Sequence, residues 1–224
     1  MTDIRERVDV HPPRLDESHI RHDPDAAVTT EFDPTPLVRA VATRLRVALR
    51  SGSGWKALEA MSVEVDLHST SDPQRARLTR TATGMHVSSP DGPAVPVVGI
   101  DVDELRVSGD EPLAGAVDVA ALSTLIEPEP PTLDIAGREF WEKVSGLPGM
   151  PGLSLNALDT GAAVHLGPAT DAYEIHGLEM DLRRLLAGFE LFVYSLRAGK
   201  FYIKGTHRQL SVVAGASMKA VLNV

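Results

Sequence analysis

The chain has no cysteine. That removes disulfides, thiol nucleophiles and thiolate metal sites together, and it fits a cytoplasmic protein. Aromatic rings are scarce, with five Phe, three Tyr and two Trp in 224 residues. No run reaches the roughly 20 apolar residues needed to span a bilayer. The opening MTDIRERVDV lacks the apolar stretch of a secretory signal. Sequence signatures of chemistry are missing as well: no G-x-S-x-G, no G-x-x-x-x-G-K-[ST], no H-E-x-x-H, and no G-x-G-x-x-G between a strand and a helix. Nothing in the motifs calls for a cofactor or a metal, and none is expected.

What is present is ordinary for a folded soluble protein: 43% apolar and 24% charged residues. The formal net charge is −9, which repels phosphate backbones, so nucleic-acid binding is not expected. The densest basic stretch, Arg39, Arg44, Arg46 and Arg50, reads as the wet face of a helix. Arginine far outnumbers lysine, and Ala, Val and Asp are abundant, a skew that suggests a high-GC bacterial genome.

Residues 1–30 carry Pro12, Pro13 and Pro24, many charges and little apolar periodicity, as a mobile N-terminal arm would. His19 and His22, with Asp16 and Asp23 nearby, read as part of that solvated tail, since a zinc site needs more ligands held rigidly. Residues 31–224 read as a single domain. Thr35 and Pro36 start a helix to about residue 50, with Leu37, Val41, Leu45 and Ala48 at helical spacing. The run Ser51-Gly52-Ser53-Gly54 ends it.

From Met61 the period switches to two, giving a half-buried strand. Further strands are expected near 75–81, 84–89 and 94–108, joined by short turns that favour an antiparallel meander. Asp118 caps a short helix to Ile126. After the break Glu127-Pro128-Glu129-Pro130-Pro131, a strand over Thr132–Ile135 and a helix over 137–145 are expected. Next come a hairpin across Asp159-Thr160-Gly161, a strand at 172–176 and a helix at 178–187. The run from Phe189 to Leu196 is apolar on both strand faces and reads as a doubly buried strand. A turn and a strand at 200–204 follow. The stretches 94–126 and 172–187 each run strand then short helix, a faint trace of duplication. These elements predict an α+β protein, a curved antiparallel sheet with helices packed on one side around a hydrophobic cavity.

Half of the rings, Phe189, Phe192, Tyr194, Phe201 and Tyr202, fall within fourteen consecutive residues. Rings concentrated this way are either core or the lining of an apolar site. The ligand-binding set expected from the aromatic and methionine pattern is Trp55, Met61, Trp141, Met180, Phe189, Phe192, Tyr194, Tyr202 and Met218. Tyr194, Tyr202 and His176 are the candidates for polarising or proton-transferring groups. His165 and His176 lie on neighbouring predicted strands with Asp171 and Glu174 close in sequence, an arrangement that would let them meet as a base–carboxylate pair.

Three segments carry a family resemblance: Ala172-Tyr173-Glu174-Ile175-His176-Gly177, Asp181-Leu182-Arg183-Arg184-Leu185-Leu186-Ala187-Gly188, and Gly199-Lys200-Phe201-Tyr202-Ile203-Lys204-Gly205. In that order they resemble the tail of sterol-carrier-type lipid-binding domains. The resemblance implies a curved sheet and helices enclosing a hydrophobic tunnel. It covers about sixty residues and does not extend to the strand-rich N-terminal part or to Phe189–Leu196.

The first functional expectation is a cofactor-free cyclase of specialised metabolism, which would fold an apolar polyene or polyketide in the cavity and let it close by a cycloaddition-like step. Confinement can supply much of such a barrier without nucleophile or metal. The alternatives are a non-catalytic lipid or sterol carrier, and an interaction protein that dimerises through its aromatic segment. The expected partner is thus an apolar small molecule, a lipid or a second copy of the chain.

Overall fold

The computed structural model describes residues 23–50, 53–62, 64–92, 95–101, 106–108 and 117–222. The pair His19 and His22 and most of the expected arm lie outside these residues. In chain order, α1 (Pro24–Ala27) leads into β1 (Val28–Thr30), α2 (Pro36–Arg50), α3 (Ser53–Ala60), β2 (Val65–Ser69), β3 (Arg75–Arg80), β4 (Met85–Ser88), β5 (Val97–Asp101), β6 (Arg106–Val107) and α4 (Val119–Ile126). Past the proline-rich break come α5 (Leu133–Val144), β7 (Leu153–Ala157), β8 (Ala163–Leu166), β9 (Tyr173–Gly177), α6 (Glu179–Leu186), α7 (Phe192–Arg197), β10 (Phe201–Lys204) and α8 (His207–Leu222).

The class is α+β, with two sheets where the sequence suggested one. The first has the order β1-β4-β3-β2-β5-β6 and the second β10-β9-β7-β8. Both are mixed, because β2 pairs in parallel with β5, and β7 with β9. Short turns correctly announced the β2–β3 and β7–β8 hairpins, but turn length says nothing about where the next strand docks. Each sheet rests on its own buried cluster, one built from residues 27–126 and one from residues 133–220.

The two halves repeat one topology. A hairpin, a strand returning parallel to its first member, and an antiparallel fourth strand give the order β3-β2-β5-β6 in one half and β8-β7-β9-β10 in the other. The first half ends in α4 and the second in α8. Under this shared strand order β5 takes the place of β9, and the helix that follows it in that position, α4, corresponds to α8 and not to α6.

Local rules account for many of the elements. Asp118 Oδ1 accepts the Ala121 N–H at 3.0 Å and caps α4. The expected strand over 132–135 is instead the first turn of α5, since Pro130 and Pro131 precede it and Asp134 favours a helix N-terminus. The helix expected to stop at the Ser-Gly-Ser-Gly run restarts as α3, and only glycine fits at 54, where a Cβ would lie 2.3 Å from the Ala48 carbonyl oxygen. The Phe189–Leu196 run is not a strand. Gly188, at φ +74°, ends the turn after α6, and residues 192–197 coil into α7. Phe192 and Ser195 point inward at helical spacing while Val193 and Tyr194 face out, which is why no strand face looked polar.

Helix α2 is buried nearly all round because both halves pack on it. Its arginines are not a wet face. Arg44 is 2% exposed. Arg46 Nη2 donates to the Val28 carbonyl at 2.9 Å, and Arg50 bridges Asp25 at 2.9 Å and Glu139 at 2.8 Å.

Candidate functional site

The nine expected ligand-binding residues do not meet. Met61 is buried in the first core and Trp55 packs against it. Phe192 belongs to the second core, where Trp141 packs at the edge against Gly167, and Phe189 lies at the junction of the halves under Arg44. Met180, Tyr194, Tyr202 and Met218 are exposed. Phe192 meets Tyr173 edge-on at 6.4 Å and Phe201 in a stacked pose at 6.2 Å, so three rings fill the space beside one another. Among the described residues the buried Tyr173 hydroxyl has no hydrogen-bond partner, and burial pushes its pKa up to about 12.

The second sheet does bring two of the three candidate polar residues together. Its inner face, with Leu153, Leu155, Tyr173, Ile175 and Phe201, is buried by helices. Its outer face presents two cross-strand rows set by register. One row is His165, Ser154, Glu174 and Lys204, and the other is Ala163, Asn156, His176 and Tyr202. Tyr202, 54% exposed, stacks on His176 with centroids 4.4 Å apart and planes 6° from parallel. His176 Nε2 lies 3.2 Å from Glu174 Oε2, and Lys204 Nζ donates to Glu174 Oε1 at 2.8 Å. Those two hydrogen bonds, Lys204 first, hold the Glu174 pKa below its ordinary value.

The expected histidine–carboxylate pair is therefore His176 with Glu174. The alternation Glu174-x-His176 places both on one strand face, and this much was legible before any coordinates. His165 stands apart on β8, with Ser154 between it and Glu174. Tyr194, the third polar candidate, is on α7 and belongs to no row of this face.

Beside these rows lies a depression of about 370 Å³, lined by Leu153, Ser154, His165, Gly167–Ala169, Asp171, Ala172 and Glu174. A more open hollow of about 510 Å³ lies between α3 and α4. None of the nine expected ligand-binding residues lines either one. No family model matches this chain, and no curated protein or solved structure matches it either. Among the described residues no group of three or more His, Asp and Glu is placed to hold a metal, and no helix is long and apolar enough to cross a membrane.

Sequence reasoning missed one polar cluster entirely. Glu190, its side chain 8% exposed, accepts from Arg184 at 2.5 Å, Ser195 at 2.7 Å and Lys200 at 2.8 Å. Burial pushes its pKa up, but the Lys200, Arg184 and Ser195 hydrogen bonds outweigh this and hold it below the usual glutamate value. The carboxylate ties α6, α7 and the start of β10 together. Its position in an otherwise apolar run, Gly188-Phe189-Glu190-Leu191-Phe192, was the available signal.

Proposed function

We propose that this protein is a binding module that recognises a partner protein through the outer face of its second sheet. This is the interaction reading of the sequence, moved from the aromatic segment to the sheet. One observation carries it: the half-exposed Tyr202 ring, fixed flat on His176, which Glu174 holds in turn. A ring already immobilised loses little conformational freedom on binding, and tyrosine is enriched among residues that dominate interface energies. The surrounding groups, Asn156, Glu174, Lys204 and His165, supply the mixed polar rim common to such surfaces. Confinement-driven ring closure and lipid carriage both need an apolar void, and the mutual packing of Tyr173, Phe192 and Phe201 lends those readings no support.

The test is a paired capture with cross-linking in the host, using wild-type and Tyr202→Ala proteins. The expected result is a protein retained by the wild type and reduced about tenfold by the substitution, equivalent to about 1.4 kcal/mol. The melting temperature should stay the same. Equal retention by both proteins overturns the proposal. An acyl lipid released from the purified protein in native mass spectrometry would favour the carrier reading. A gel-filtration dimer broken by Tyr194→Glu would favour self-association through α7.

A further inference from the structure

The depression beside β7 and β8 offers hydrogen-bond acceptors that the fold leaves unused. Among the described residues, neither the Asp171 carboxylate nor the His165 imidazole has a side-chain partner, and both line it. Ser154, 8% exposed, lies in the row between His165 and Glu174 and also lines the hollow. Its Oγ accepts from Asn156 Nδ2 at 3.3 Å and retains a second lone pair. Each oxygen of Glu174 holds one partner and can accept another. The ammonium of this face, Lys204, is committed to Glu174. Pro168, Ala169 and Ala172 complete the lining with apolar surface.

The wall is fixed at both ends. Gly167, at φ +74°, sits where a Cβ would lie 2.2 Å from Trp141, and Gln209 Nε2 donates to the Asp171 carbonyl at 2.7 Å. Asp171 itself is held at φ 54°, a left-handed conformation that Asp and Asn tolerate better than most residues.

Two carboxylates, an imidazole and a hydroxyl around apolar walls call for a ligand rich in donors, positively charged, and carried on an aliphatic stem. We infer that the depression binds a basic side chain, arginine above all, presented by the partner protein. This rests on the partner-protein reading above. The guanidinium has five donors in a planar fork and suits carboxylates, while its methylene stem suits the Pro168 and Ala172 wall. Glu174 belongs to both this hollow and the Tyr202 platform, so one partner segment can engage the two together.

Nα-acetyl-arginine methylamide titrated into the ¹⁵N-labelled full chain tests this directly. Expected are saturable amide shifts at Ser154, His165, Asp171, Ala172 and Glu174, and none with the uncharged citrulline analogue. Asp171→Asn, which keeps the left-handed backbone, should weaken the arginine affinity about tenfold and leave the melting temperature unchanged. Absence of saturable shifts, an equal response to citrulline, or an indifferent Asp171→Asn variant overturns the inference. Tyr202-dependent capture that persists when arginine fails to bind removes only the hollow. Arginine binding with no captured partner supports the hollow and removes the partner reading.

Discussion

The guanidinium carbon of Arg44 sits 3.7 Å from the centroid of the Phe189 ring. The two residues lie 145 positions apart, and their contact joins α2 of the first half to the turn after α6 in the second. Burial, with repulsion from Arg184, lowers the Arg44 pKa to about 9, which still leaves it charged at neutral pH. The ring face compensates part of the lost hydration. Arg44→Ala removes both the cation and the packing of its stem and is expected to cost about 2–4 kcal/mol. Arg44→Met keeps the bulk and removes the buried charge, so it should cost clearly less. Urea unfolding of the two variants checks the order, and equal losses would count against this account of the junction.

Glu190 gives the fold a defined acid sensitivity. Its folded pKa lies below its unfolded value of about 4.3, so its stabilisation is complete above that value and is lost as pH falls through the folded one. Asp181, 3.8 Å from Lys200, has the opposite sign because burial raises its pKa. Glu190→Gln should lower the melting temperature at neutral pH, since Arg184 and Lys200 lose their counter-charge, by about 3 kcal/mol in stability. It should also flatten the decline between about pH 5 and pH 3. Melting curves across that range show whether the variant is flatter than the wild type.

Phe192 and Tyr202 should respond in opposite ways. Phe192 is 1% exposed between Tyr173 and Phe201, so Phe192→Ala is expected to cost about 3–5 kcal/mol. Tyr202→Ala removes an exposed ring and should leave stability nearly unchanged while weakening partner binding about tenfold. Chemical denaturation of both variants, set beside the capture experiment, separates core from surface.

Gly167→Ala tests the wall of the arginine hollow. It combines an unfavourable positive φ with a collision at 2.2 Å against the Trp141 ring. The substitution should destabilise by more than about 1 kcal/mol. It should also broaden or shift the amide signals of Pro168's neighbours and Asp171. A variant as stable as the wild type would mean that Trp141 yields easily.

The α+β class, the helices α2, α4 and α6, and the strands β2, β3, β4 and β9 were legible because their causes lie within a few residues of each other: Pro36 at a helix start, Asp118 as a cap, Val65 and Leu67 two apart on one buried face, Glu174 and His176 two apart on another. The expected half-buried character of β2 did not hold: the strand starts at Val65 and its Asp66 is buried too, in an ion pair with Arg77. Only the folded chain decided that β5 returns beside β2 and β9 beside β7, that 192–197 coils, and that Arg44 is buried. Those outcomes depend on which distant surface arrives to cover a residue. A pattern apolar on every side is satisfied equally by a doubly buried strand or by a helix with two exposed apolar residues. An arginine on a helix is wet until another half of the chain packs over it.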